Sequence, residues 1–243
     1  MTYKIEHLLY LMSRLRDPVD GCPWDKKQTF DSIVPYTLEE AYEVADAIEQ
    51  KDFSHLKEEL GDLLFQVIFY AQMGNEQKHF EFADIVHTLV TKLIRRHPHV
   101  FPNGELTSRN DAKAALSEGE IKGRWEATKQ QERNAKLANE KGNLEKQPAA
   151  KLLDDVPKAL PAIQRAEKLQ KRAATVGFDW PEASQVLDKI EEEIGELREA
   201  MAQGKHANIE DELGDVMFAM VNLARHVSVK PEMALRSTNA KFE

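Results

Sequence analysis

Residues 212–218, Glu-Leu-Gly-Asp-Val-Met-Phe, repeat residues 59–65, Glu-Leu-Gly-Asp-Leu-Leu-Phe, within one chain of 243 residues. Each copy lies in a run whose apolar residues recur at helical spacing. In the first, Leu56, Leu60, Leu63, Leu64, Val67 and Ile68 predict a helix from about Ser54 to Met73; the second predicts one from about Asn208 to Val227. A second acidic motif precedes each copy, Glu39-Glu40-Ala41-Tyr42-Glu43 in the first half and Glu192-Glu193-Ile194-Gly195-Glu196 in the second. Residues three and four apart share a helix face, so Glu193 and Glu196 point one way, as do Glu212 and Asp215. Two such helices lying side by side gather their carboxylates into one small volume. Like charges held so close repel, and the arrangement is costly unless a cation sits among them.

Outward from these motifs the two halves continue to correspond. Gly21-Cys22-Pro23-Trp24 answers to Gly177-Phe178-Asp179-Trp180, and Lys92 in the helix after the first copy has a counterpart in Lys241. Duplication of this kind implies two similar units of roughly a hundred residues. Ile5, Leu8, Leu9, Met12 and Leu15 form a first helical stripe, ended by the Asp17–Pro23 turn. A second helix is predicted from about Thr37 to Gln50, with Leu38, Ala41, Val44, Ala45 and Ile48 on its apolar side. A further helix, Phe82 to Arg96, stops at His97-Pro98 because proline disfavours helix in the residue before it. A polar loop from Phe101 to Ala115 leads to a charged segment, Leu116 to Lys141, read as a solvated connecting helix, its few apolar residues including Ile121, Trp125 and Leu137. Gly142 to Lys151 reads as the boundary. Beyond it come a helix after Pro157 (Leu160, Ile163, Ala166, Leu169), a turn at Gly177, and helices near Ala183–Gln203 and Asn208–Val227. No set of paired strands is visible. The predicted class is all-α: two tandem helical-bundle domains over 1–105 and 151–243, joined by a charged helical linker over 106–150.

Glutamate is a good helix former and usually lines a solvated face, so one Glu-Glu-x-x-Glu decides little. Asp62 and Asp215 weigh more, because they interrupt strongly apolar runs. Glycine directly precedes each Asp, at a cost of about 1 kcal/mol relative to alanine inside a helix. That cost predicts a close backbone approach or tight helix packing there. The ligand types also discriminate: a ferritin-like di-iron bundle calls for Glu-x-x-His pairs, and the repeated motifs carry Glu-x-x-Asp instead, with no His at the matching spacing. An all-oxygen set suits Mg²⁺, with Mn²⁺ as a substitute. His55, His87, His97, His99, His206 and His226 read as surface or packing residues.

Bulk properties narrow the partners. A formal charge of −9 and a pI near 5.5 argue against general binding to nucleic acid or to an anionic membrane. Phosphate-bearing small molecules stay open if metal ions bridge the two. Cys22 is the single cysteine, which excludes an internal disulfide framework and a cysteine-based zinc site. No apolar run reaches membrane-spanning length. Met1 to Arg16 is amphipathic, without a signal peptide's apolar centre. These features predict a soluble cytoplasmic protein.

Taken together with Gly-Cys-Pro-Trp-Asp at 21–25, the stretch Arg95-Arg96-His97-Pro98-His99-Val100-Phe101, and Val176-Gly177-Phe178-Asp179-Trp180, the acidic motifs resemble the MazG family of nucleoside triphosphate pyrophosphohydrolases in its tandem form. The resemblance implies hydrolysis of a nucleoside triphosphate, ATP among them, to monophosphate and pyrophosphate. It also implies Mg²⁺ dependence, the all-α NTP pyrophosphatase fold and a homodimer. Carried over by motif, Glu193, Glu196, Glu212 and Asp215 are the metal ligands, and Glu192 orients or deprotonates the attacking water. Lys189, one turn before Glu193, is placed to reach a triphosphate; its aligned residue in the first half is Tyr36. The second half is therefore expected to be catalytic. The counterpart set Glu39, Glu40, Glu43, Glu59 and Asp62 is expected to be inactive, its domain structural or regulatory. Lys189 also reads as an ordinary exposed lysine paired with Glu192 or Glu193, and Trp180 either stacks on a base or fills a buried turn. Lys241 is the last phosphate-facing cation within the sequence, because the family's carboxy-terminal domain continues past Lys241-Phe242-Glu243 with further basic residues and a tryptophan. Two other readings stand beside broad NTP hydrolysis. A non-catalytic nucleotide-binding or dimerisation module predicts no phosphate release; a dUTP- or dCTP-specific pyrophosphatase predicts sharp base preference.

Overall fold

The two repeated motifs each lie on the second arm of a helical hairpin. A computed structural model describes residues 2–109, 117–141, 152–154 and 156–243, and their regular structure is entirely helical. The chain divides into two compact units, Met1–Asn134 and Ala135–Glu243. The first contains α1 (Ile5–Leu15), α2 (Phe30–Gln50), α3 (Phe53–Glu76), α4 (Phe82–Arg96) and most of α5 (Glu118–Lys141). The second contains α6 (Ala162–Ala174), α7 (Ala183–Gln203), α8 (His206–His226) and α9 (Pro231–Phe242). Gly142 to Lys151, read above as the boundary, lies outside the described residues, as do residues 110–116.

Within each unit the architecture is the same. The most extensive contact is between α2 and α3 in the first unit and between α7 and α8 in the second. The preceding helix, α1 or α6, lies against the hairpin's second arm, and the following helix, α4 or α9, flanks that arm. Two residues join each pair of arms. Lys51 closes α2 in the left-handed conformation at φ 58°, where Gly204 closes α7 at φ 71°. Glycine adopts that conformation without steric cost; lysine adopts it against the clash of its Cβ. Asp52 starts α3 by accepting hydrogen bonds from the Ser54 and His55 amides, each at 3.0 Å.

The first unit's core is Met12, Ile33, Ile68, Phe69 and Met73, with Leu8, Leu9, Phe30, Phe65, Tyr70 and Phe82 around it. In the second it is Val186, Ile190 and Ala219, backed by Trp180, Ile194 and Leu223. Gly21 is required where it stands: a Cβ there would lie 2.5 Å from the carbonyl oxygens of Leu15 and Asp17. Gly177 turns at φ 81°.

Several expectations need correction. Helix α2 starts at Phe30 rather than near Thr37, capped by Thr29, whose Oγ1 accepts from the Ser32 amide at 3.2 Å. Pro35 does not break it. It stands one and a half turns in, at an exposed position, where the Asp31 carbonyl that loses its donor can turn to water. The buried side of α2 is Ile33 and Ala47, with Val44 and Ala45 partly covered; Leu38, Ala41 and Ile48 are exposed. Glycine is not explained by packing within a unit. A Cβ at Gly61, Gly195 or Gly214 would meet no atom within 4 Å beyond its own helix backbone. Helix α6 begins after Pro161 rather than Pro157, and α9, which the sequence reading did not place, begins with Pro231 at its first turn. The charged segment is helical as expected but not simply solvated. Arg95 and Arg96 both donate to Glu132, Arg96 Nη2 at 2.5 Å from Oε2, and the Trp125 ring lies 6.1 Å from that of His97.

Candidate active and metal site

Helices α7 and α8 bring three carboxylates of the second unit together: oxygens of Glu193, Glu196 and Glu212 lie within 4.8 Å of one another. Glu193 is only 8% exposed, because Ile190 and Ile194 on its flanks join the core. Glu196 is exposed and Glu212 partly covered. The Glu196 carboxyl is pushed above its ordinary range, first by its hydrogen bond with Glu193 and then by burial and the Glu193 charge. Lys189 sits at the edge of the group. Its ammonium lies 2.9 Å from Glu192 Oε1 and 2.9 Å from Glu193 Oε1, and these two carboxylates raise its pKa. Both readings of Lys189 meet here: it is ion-paired, and it is at the acidic cluster. Glu192 points outward, its side chain 58% exposed. Asp215, one turn beyond Glu212, is exposed and outside the set of grouped oxygens.

The first unit gathers the matching residues on α2 and α3. Glu40, Glu43 and Glu59 place oxygens within 4.8 Å of one another, with Glu59 8% exposed. Glu40 is held above its ordinary pKa by burial and then by the charges of Asp62, Glu43, Glu59 and Glu39. Burial also raises Glu59, against the pull of His55. Glu39 and Asp62 are exposed. At the position of Lys189 stands Tyr36, whose ring meets Trp24 edge-on at 5.8 Å and supplies no cation.

Two contributors escaped the sequence reading. His55, read as a surface or packing residue, is half-buried and puts Nδ1 3.1 Å from Glu59 Oε1; its spacing of four residues before Glu59 is the available signal. Gln66, seven residues after Glu59 and so on the same helix face, turns its amide toward Glu40, with Nε2 3.5 Å from Oε1. Trp180 backs the core formed by Val186, Ile190 and Ala219, as a turn tryptophan does. It also lines a largely apolar cavity of about 570 Å³ with Leu169, Gln170, Phe178 and Phe218. Lys241 is exposed on the last turn of α9.

These residues are set in a sequence with known relatives. The profile of the MazG nucleotide pyrophosphohydrolase domain matches residues 28–101 and 182–243. A protein of Escherichia coli K12 named nucleoside triphosphate pyrophosphohydrolase is 49% identical over 242 residues, covering 99% of this chain and 84% of that protein. A Thermotoga maritima protein named nucleoside triphosphate pyrophosphohydrolase/pyrophosphatase MazG is 40% identical, over 98% of this chain and 82% of its own length.

Proposed function

The chain belongs to the MazG nucleotide pyrophosphohydrolase family, and on that premise we propose that it hydrolyses nucleoside triphosphates to the monophosphate and pyrophosphate at the α7–α8 site. The single observation that carries the assignment to this site is the cluster itself: Glu193, Glu196 and Glu212 within 4.8 Å, with Lys189 ion-paired at its edge. Lys189 does part of the neutralising that a divalent cation would complete. The donors are all oxygens, which fits Mg²⁺, and Mn²⁺ as its substitute. Glu193, Glu196 and Glu212 would hold the ion, with Asp215 turning in to join them. When bound, such an ion offsets negative charge on the phosphoryl oxygens and makes nearby water more acidic.

The chain's own groups do the rest. Glu192, exposed at the rim, accepts a proton from the water that attacks the α-phosphorus, and the bond to the bridging oxygen breaks as pyrophosphate leaves. Lys189 exchanges its carboxylate partners for phosphate oxygens, and Lys241 adds a second positive charge. Preorganised positive groups facing the developing charge lower the barrier most. Trp180 stays in its packing role. Broad base preference is part of this reading.

The tandem division into 1–105, a linker over 106–150, and 151–243 belongs to the same proposal, with the first domain structural or regulatory. So does a homodimer. Leu60 and Leu64 on α3, and Leu213 and Met217 on α8, are exposed at equivalent positions beside the open glycines, and a second copy would cover such faces. No described helix is long and apolar enough to cross a membrane, and a cytoplasmic location is part of the proposal.

Product analysis after incubation with each NTP and Mg²⁺ tests the reaction. Monophosphate plus pyrophosphate is the expected outcome with ribo- and deoxyribonucleotides alike. Orthophosphate plus diphosphate, or no product, would sink it, and turnover of dUTP or dCTP alone would replace breadth with base specificity.

A further inference from the structure

We propose that the apolar cavity of the second unit receives the base of the triphosphate, with Asn222 as the side chain that contacts it and with Arg225 and Asp179 as positioning residues that fix which end of the Asn222 amide the base meets. The inference rests on the hydrolase reading and goes past it, to the part of the substrate that carries no charge. The cavity is about 570 Å³, and its walls include Leu169, Phe178, Trp180 and Phe218. Such size and lining suit a flat heterocycle. Phe218 and Asn222 follow Asp215 at three and seven residues on one face of α8, so the cavity lies about 5–10 Å along the helix axis from that acid.

The polar groups of the cavity are few and oriented. Asn222 is 4% exposed and lines it. Its Oδ1 accepts from Arg225 Nη2 at 3.0 Å, and a guanidinium only donates, so the amide is held one way round. The amide nitrogen has no partner among the described residues and is left to the cavity. The same Arg225 nitrogen donates to Asp179 Oδ1, which also accepts from the Trp180 amide at 3.0 Å and lies 3.1 Å from His226 Nε2. One carboxylate thereby ties the turn that carries Trp180 to the last turn of α8. Gln170, 5% exposed, donates Nε2 to the Phe218 carbonyl at 2.8 Å and keeps an acceptor, Oε1, without a partner. A wall with a donor and an acceptor to spare complements the pairing edge of a base, which sets an acceptor beside a donor. Every natural base does so, and the cavity therefore adds affinity without narrowing breadth.

The first unit shows the same place when it is filled. The repeat sets Phe69 at the position of Asn222, Gln72 at that of Arg225 and Pro23 at that of Asp179. Phe69 is 1% exposed in the core, the Trp24 ring meets it edge-on at 6.5 Å, and the Arg16 guanidinium covers it at 5.3 Å. Packed rings and a buried arginine stand there in place of the amide and its two supports. The cavity and Lys189 thus belong to the same unit, as a site for a whole nucleotide requires.

The test is the binding of nucleosides, which carry no phosphate, to the full chain with ¹⁵N-labelled tryptophan and without metal. Trp180→Phe identifies one of the three indole resonances. Adenosine and uridine are each expected to shift that resonance and to leave those of Trp24 and Trp125 in place. Asn222→Ala should weaken both nucleosides about tenfold, the loss of one hydrogen bond in a dry site. Asp179→Asn should weaken them about threefold and add nothing in the Asn222→Ala chain, because it acts through that amide; a role in folding alone would add its loss in either background. Phe178→Ala, at an exposed position that leaves the core intact, should weaken binding about fivefold. An unmoved Trp180 resonance, or unchanged affinity in both the Asn222→Ala and Phe178→Ala chains, overturns the inference, and full additivity of Asp179→Asn with Asn222→Ala overturns the positioning role. Pyrophosphate release with no nucleoside at Trp180 defeats this inference alone; nucleoside at Trp180 with no release defeats the hydrolase assignment alone.

Discussion

The α2–α3 hairpin and the α7–α8 hairpin carry the same acidic motif, yet they solve its repulsion differently. In the second unit a lysine one turn before Glu193 lies between two of the carboxylates. In the first that place is held by Tyr36, stacked edge-on against Trp24, and a buried glutamine turns toward the cluster from the other arm. A single side chain at one position thus separates a cluster with an ion-paired ammonium at its edge from one without. Duplication preserved the scaffold of acids. The lysine at its edge has no counterpart in the first copy, where Tyr36 stands.

The sharpest way to break this contrast is to remove one acid from each copy. Glu193→Ala should lower the rate of pyrophosphate release by about a hundredfold or more, whereas Glu40→Ala should leave it within about twofold. Loss in Glu40→Ala alone would reverse the assignment of the working half. Lys189→Ala should lower kcat/KM about tenfold to a hundredfold, the loss of one charged contact to the phosphates. In the same variant Mn²⁺ binding without nucleotide should tighten at the second cluster, because the competing ammonium is gone. Calorimetry that shows weaker binding instead would mean that Lys189 organises the acids rather than competing for them.

Glu132 extends the contrast to pH. Arg96 and then Arg95 hold its carboxyl down from 4.5 to about 2, against the opposing effect of burial. A depressed folded pKa contributes stability that is present above about pH 4.5 and lost as pH falls toward 2. Glu132→Gln should therefore cost about 1–3 kcal/mol near neutral pH, and the difference from the unaltered chain should vanish in acid. Glu40 and Glu59 carry the opposite sign. Their folded pKa values are raised, first by burial, so their ionisation costs stability as pH rises above the ordinary carboxylate range. Denaturant melts across pH measure both trends. The smallest expected effect on the fold is at the exposed stripe. Leu213→Glu with Met217→Glu should change a unit's stability by no more than about 0.5 kcal/mol while shifting the chain from dimer to monomer in sedimentation. An unchanged sedimentation profile would move the interface elsewhere.

Much of the helical order was legible because helical periodicity and proline act locally. The limits of α4 and α7 coincide with those expected, and the repeat anticipated that both hairpins would share one design. Where the reading failed, a local rule was overruled by context. Pro35 looks like a helix start, but its missing donor faces solvent, and the Thr29 cap had already begun the helix. The apolar residues of α2 looked like its core face, yet Ile33 and Ala47 are the ones buried against the rest of the unit. Gln66 and His55 stand outside the repeated motif, so the repeat does not point to them.

The sequence by itself determined that the chain is helical and duplicated, and that each copy sets acids at three- and four-residue spacing on facing helices; these follow from periodicities that adjacent residues impose on one another. Which charges meet was decided only by the tertiary structure. Spacing along one helix cannot say that Lys189 lies across Glu192 and Glu193 while Asp215 stays exposed, or that Gln66 reaches Glu40 through its amide nitrogen while its buried oxygen has no partner. Those outcomes depend on how two helices rotate about their axes when their apolar sides are buried, and that rotation is set by the packing of side chains distant in sequence.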